Sequence, residues 1–182
     1  MPDNPAKQTS EEVDQTQLDL ARQAGDAYQE ALDYMANEVA HTGGKAEVDD
    51  YVVGFAQEKA EGMYVLKDEG QTEWMEPDDE NCHLEVAVAD AEDGRFVPGC
   101  TVVATLTSED GEQVGPTTVP LVWHPGLYHY GKNLTVPEGG TYTIDVRVEP
   151  PTFKRHDEKN GDRYDETVQA VFENVDIETG QG

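Results

Sequence analysis

The hydrophobic period of the chain changes near residue 42, and that change limits what it can fold into more than any other feature. Before it, "TSEEVDQTQLDLARQAGDAYQEALDYMANEVAHTGG" lacks proline and places Val13, Leu18, Ala21, Ala24, Tyr28, Ala31, Leu32, Met35 and Val39 at roughly helical spacing. Thr9 followed by Glu12 fits a capping box at the start, and Gly43-Gly44 ends the run. These signals predict one amphipathic helix over residues 10–44, after a flexible N-terminus at residues 1–9. Its role is either to lie against the domain or to act as a stalk or dimerisation helix.

After residue 47 the period falls to two. "YVVGFAQEKAEGMYVLK", "HLEVAVAD", "CTVVATLTS", "QVGPTTVPLVW", "GTYTIDVRVEP" and "ETVQAVFENVDI" are short runs rich in Val, Thr and Tyr. Gly, Pro, Asp and Asn separate them, as in "AEDGRFVPG" and "VPEGGT". About seven strands at such spacing predict a mainly β fold, an immunoglobulin-like antiparallel β-sandwich. It is expected over residues 47–178, with the N-terminal α-helix as an appendage. A chain of 182 residues suits one such domain; two would be crowded.

Asp and Glu outnumber Lys and Arg 39 to 12, for a formal net charge of -27. That field disfavours phosphate backbones and anionic lipid, so nucleic acid is excluded as an expected partner. The excess is spread along the whole chain, which points to a halophile's surface. There carboxylates hold water in concentrated salt and repel one another when salt is removed. No apolar run approaches the roughly 18 residues of a membrane span, and the N-terminus lacks the charged and apolar regions of a signal peptide. Cys82 and Cys100 are too few for a disulfide scaffold. The reading adopted is two free buried thiols, with a bridge as the alternative.

The polar residues fall on this pattern in an informative way. In "CHLEVAVAD" the apolar Leu84, Val86 and Val88 share one strand face, so His83 and Glu85 share the other, about 7 Å apart at their Cα atoms. A metal can bridge such a pair; the plainer reading is a solvated face. His129 lies in "YHYGKN" between Tyr128 and Tyr130, with Gly131 read as a tight turn. An imidazole held in one orientation suits ligation, and the alternative is a hydrogen-bonded packing residue. His156 lies in "PPTFKRHDEKNGDRY", a polar loop where Arg155, Asp157 and Glu158 are placed to orient it or to offer oxygen ligands; the plainer reading is a loop histidine with no ligand role. His41, at the end of the helical run, reads as a partner of the helix dipole and solvent. No nucleophile with its base and orienting group, no acid–base pair and no phosphate loop is found, so no catalytic residue is assigned.

Taken together, "GMYV", "CHLEVAVAD", "FVPG", "YHYGKN", "GTYTIDVRVEPP" and "RHDEKNG" resemble, in order, the periplasmic iron-transport accessory proteins. The resemblance covers about residues 50–178 and rests on His-x-Glu, His-Tyr-Gly-x-Asn and Arg-His-x-acidic motifs. It implies an immunoglobulin-like, often dimeric protein that binds copper and iron beside a ferrous-iron permease. By matching motif it implies a metal site of His83, Glu85, His129 and His156. Family members usually present a methionine on the strand leading into the His-Tyr-Gly loop. Here that region reads "VPLVWHPGLYHYG", with Leu121 or Val122 near the matching place. Imidazole and carboxylate without a thioether suit Cu(II), Fe(II) or Zn(II). His124 either takes the vacant position or caps the Pro125-Gly126 turn, and Met63 is either another thioether candidate or a core residue.

The expected function is therefore an extracytoplasmic copper- or iron-binding accessory to iron uptake, with zinc as a further candidate ion. Its expected partners are the metal ion, a membrane iron permease and a second copy of the chain. A leader is expected to have been removed from the chain as given, a cytoplasmic place being the alternative. A structural or adhesive sandwich is the alternative function, and a metal-dependent redox enzyme a further one. Proton competition at the histidines is expected to weaken binding steeply below about pH 6.

Overall fold

In the computed structural model the described residues are 6–182. Residues 1–5 of the expected flexible N-terminus lie outside the described residues. Lys7 is tied down, with its Nζ 2.7 Å from Asp90 Oδ2 and 2.5 Å from Asp93 Oδ2. Ser10 Oγ accepts the backbone N–H groups of Glu12 and Val13, which closes a turn and keeps the Thr9–Glu12 segment out of the helix. Helix α1 spans Gln15–Tyr34 and starts instead at Asp14, in a reciprocal capping box with Gln17 at 2.9 Å in both directions.

One π turn, Met35–Val39, follows α1, and the extended backbone of Ala40 ends the run. Gly43 and Gly44 therefore belong to a strand rather than to a helix cap. His41, just past the helical run, has its Nε2 2.7 Å from Asp176 Oδ2.

Eleven strands follow: β1 (Thr42–Val48), β2 (Tyr51–Glu58), β3 (Met63–Asp68), β4 (Gln71–Met75), β5 (Cys82–Asp90), β6 (Thr101–Ser108), β7 (Gln113–Val119), β8 (Leu121–Val122), β9 (His129–Leu134), β10 (Gly140–Glu149) and β11 (Val168–Ile177). A five-stranded sheet runs β1-β2-β5-β9-β8 and a four-stranded sheet β11-β10-β6-β7, with every pairing antiparallel. The expected antiparallel β-sandwich with an N-terminal helix is the fold observed. Val53, Phe55, Leu84 and Val86 of the first sheet meet Val102, Leu106, Ile144 and Val146 of the second in one dry core. Cys82 and Cys100 lie in that core as free thiols. Among the described residues the β3–β4 hairpin pairs with no other strand, and Met63 sits on it opposite Met75, outside the core.

The outer face of the five-stranded sheet is not solvated. Leu32 and Met35 of the helical segment pack on Ala56 of β2, Ala87 of β5 and Leu127, and all nine positions of β5 are buried. Gly25 explains how the helix comes so close. A β-carbon there would lie 1.6 Å from the Asp93 carbonyl oxygen, so only glycine lets the two backbones touch. Arg22 Nη2, 2.8 Å from Glu92 Oε1, and the Tyr28 hydroxyl, which donates to the Tyr128 carbonyl at 2.7 Å, fix the same docking.

Candidate metal centre

Period-two alternation and the strand register build the site in rows across the covered face. In β5, Leu84, Val86 and Val88 turn to the core, so His83, Glu85 and Ala87 turn outward beneath the helix. One row carries Glu58, His83 and Asn133 on β2, β5 and β9; the next carries Ala56, Glu85 and Gly131. His129 precedes Gly131 by two positions and faces the same way, while its neighbour Tyr130 enters the core and donates its hydroxyl to the Val97 carbonyl at 3.0 Å. Gly131 is not a turn residue, because it pairs with Glu85 inside β9. Its lack of a side chain keeps space open instead. A β-carbon there would lie 3.1 Å from His83 Nε2 and 3.2 Å from His129 Nε2.

His83, Glu85 and His129 come together with potential ligand atoms within 4.8 Å of one another, and all three are buried. Glu85 Oε1 lies 3.2 Å from His129 Nε2 and 3.8 Å from His83 Nε2. Both imidazoles have their other nitrogen engaged. His83 Nδ1 lies 2.9 Å from Asn133 Oδ1, and His129 Nδ1 lies 3.4 Å from the Leu127 carbonyl. An amide oxygen and a carbonyl oxygen accept only, so each Nδ1 carries the proton and each Nε2 presents its lone pair to the site. Asn133 is held in turn by Glu61, whose N–H donates to Oδ1 at 3.2 Å and whose carbonyl accepts from Nδ2 at 2.7 Å.

Burial sets the charge state of these three groups. Burial pushes the Glu85 carboxyl up to about 8, with the charges of Glu58 and Glu61 adding to the shift. Burial also pushes His129 down to about 4, helped by His83, and lowers His83 itself. Glu85 Oε2 is buried and has no hydrogen-bond partner among the described residues. An unpartnered buried carboxyl oxygen is costly, and a divalent ion that displaces the Glu85 proton between two neutral imidazoles removes that cost. The residues present therefore fit a copper, iron or zinc ion.

A cavity of about 630 Å³ lies between helix and sheet and reaches the site at Glu85, with Met35, Glu58, Glu61 and His124 also among its walls. His124 does cap the Pro125-Gly126 turn, its Nδ1 accepting the Gly126 N–H at 3.0 Å. Its ring is also 5.9 Å from that of His129, so the same residue borders the site. His156 is not brought there. Its side chain is 91% exposed and its Nδ1 lies 3.1 Å from Glu12 Oε2. The loop that bears it is anchored by Tyr164 to Asp50 and Asp90, at the end of β5 opposite His83. Seven strand positions, about 23 Å, separate those two ends.

Sequence reasoning missed Asn133, Glu58 and Glu61 as partners of the site. Period two counted from His129 places Asn133 on its face, and that signal was available. Nothing local marks Glu58 or Glu61, because their place follows from the pairing of β2 with β5.

A family model described as Fe2+ transport protein matches residues 43–178. No curated protein matches the chain. Among solved structures, FetP of uropathogenic Escherichia coli strain F11 is similar at 19% identity and a TM-score of 0.60, covering 74% of this chain and 93% of that one. A copper-bound variant of that FetP gives 19% identity and a TM-score of 0.59, with 74% and 95% covered. Copper-reconstituted P19 of Campylobacter jejuni gives 16% identity and a TM-score of 0.58, with 74% and 94% covered. At such identities these likenesses establish the shared fold.

Proposed function

The chain belongs to the Fe2+ transport protein family, and from that premise we propose that it is an extracytoplasmic carrier of a copper or iron ion acting as an accessory to iron uptake. The observation that carries the reading is the buried, unpartnered Glu85 Oε2 beside two imidazoles whose Nε2 atoms face Glu85 Oε1 at 3.2 and 3.8 Å. His83, Glu85 and His129 are the proposed ligands, with His124 at the rim as a fourth. His156 enters a ligand set only from a second copy of the chain, since its own chain holds it at the far end of β5; a homodimer is part of the proposal on that ground.

Imidazole and carboxylate hold a divalent ion at about 2.0 to 2.2 Å, and raw affinity favours copper over iron or zinc. The copper held by the FetP variant and by P19 supports the same choice here. A place outside the cytoplasm accords with the expression of FetP in the periplasm, and a membrane iron permease is the proposed partner. No turnover belongs to this role, which is binding and delivery.

The test is calorimetric titration of metal-free protein with Cu(II), and anaerobically with Fe(II), at about pH 7.5, beside His129→Ala. Saturable one-site binding that the variant loses supports the carrier. Absence of binding, or binding indifferent to His129, leaves a structural or adhesive sandwich.

A further inference from the structure

We propose that Met35, carried by the N-terminal helical segment outside the family-matched residues, is a thioether ligand that lets this site hold Cu(I). The inference rests on the carrier reading above and adds a ligand and an oxidation state to it.

Three observations carry it. Met35 is buried, 7% exposed, and lines the same cavity as Glu85 and His124. Its packing partners each adjoin a proposed ligand. Ala56 is directly opposite Glu85, Ala87 is two positions from Glu85 on the same face, and the Leu127 carbonyl faces His129 Nδ1. Finally, Met35 opens the π turn that ends the helix. Such turns re-aim side chains at a cost in helix geometry and concentrate at functional positions.

The helix does not meet the site by chance of packing. Gly25 seats it directly on the Asp93 carbonyl, so the closeness of helix to sheet is set there by a backbone contact. Alanine at 56 and 87 leaves the room that a larger apolar residue would fill, and the unbranched methionine can reach across it. Met35 is the only sulfur among the described residues lining this cavity, both cysteines being in the core on the other side of the sheet. Two imidazoles with Glu85 make a set for divalent ions. Two imidazoles with a thioether make a soft one, suited to Cu(I).

The test compares wild type, Met35→Leu and His129→Ala. Leucine nearly conserves volume, so packing survives while the sulfur is lost. Cu(I) affinity is read anaerobically by competition with a chromophoric chelator, Cu(II) affinity by calorimetry, and the ligand atoms by X-ray absorption of the Cu(I) protein. Loss of a ligand should cost at least the 10- to 100-fold typical of even outer contacts, so Met35→Leu should weaken Cu(I) by about that factor or more. Cu(II) affinity and the Tm of metal-free protein should stay unchanged, and the sulfur scatterer of wild type should vanish. Unchanged Cu(I) affinity, or equal loss for Cu(I) and Cu(II), overturns the assignment and leaves Met35 a packing residue. A wild-type Cu(I) spectrum without sulfur does so with no substitution at all. Copper binding that survives in His129→Ala, or none in wild type, overturns the carrier reading itself.

Discussion

Gly131 stands directly opposite Glu85 across the β5–β9 ladder, and a β-carbon there would fall 3.1 Å from one imidazole Nε2 and 3.2 Å from the other. The glycine keeps open the volume in which an ion would sit. Gly131→Ala should therefore lower metal affinity by at least about 10- to 100-fold while changing stability by no more than about 1 kcal/mol. Titration calorimetry and thermal melting check this; full affinity in the variant would mean that the ion lies elsewhere.

Metal binding should release a proton from Glu85, not from the histidines. The carboxyl is held up to about 8 and His129 down to about 4, so at neutral pH the acid is protonated and the imidazoles are free. Affinity should then rise with pH up to about 8, where proton competition at ordinary histidines would have placed the loss below about pH 6. Calorimetry at about pH 6.5 in two buffers of different ionisation enthalpy should give about one proton released per ion. Zero release would remove Glu85 as a ligand.

Metal-free protein should become less stable as pH rises past neutrality. A carboxyl whose folded pKa is raised contributes fully below its ordinary value of 4.5 and loses that contribution as pH climbs through about 8. Relative to Glu85→Gln, wild type should lose about 2 kcal/mol between about pH 6.5 and 8.5. His129 adds only a small slope of opposite sign at the lower edge of that window, because its lowered pKa makes its contribution fade as pH falls through its ordinary 6.5 towards about 4. Parallel denaturant curves for the two proteins across the window would count against a buried acid.

Gly25→Ala should lift the helix from the sheet, since its methyl would overlap the Asp93 carbonyl. A cost of about 1 to 3 kcal/mol is expected from overpacking, together with faster hydrogen exchange in β5, whose outer face the helix covers. Unchanged exchange there would show that the sheet is protected without it.

Salt should stabilise the fold. With a net charge of -27, repulsion acts over about 10 Å at 0.1 M salt and about 3 Å at 1 M. The Tm should rise by several degrees into molar KCl, at about 2 to 4 °C per kcal/mol for a chain of this size. A flat Tm would set aside the halophile reading.

How much of this was legible in the sequence varies residue by residue. Alternation in β5 sorts Leu84, Val86 and Val88 from His83 and Glu85 without any tertiary knowledge, and the two periods separate helix from sandwich. The strand count was legible only coarsely, because edge pieces such as Leu121–Val122 are too short to show a period. The helix start moved to Asp14 because Ser10 spends its hydroxyl on a local turn. Neither choice can be read from capping preferences that both segments satisfy.

The sequence by itself determined which side chains share a face, because strand and helix periods are local geometry imposed on each residue by its neighbours. Only the tertiary structure decided what covers that face and what meets on it. Helix docking through Gly25 turned a face that could have been solvated into a buried one, shifting Glu85 and His129 by desolvation. The pairing of β5 with β2 and β9 brought Glu58, Asn133 and His129 to His83 and Glu85, while the anchoring of Tyr164 sent His156 to the opposite end. Such convergence depends on contacts between residues up to about a hundred positions apart, and no local period encodes them.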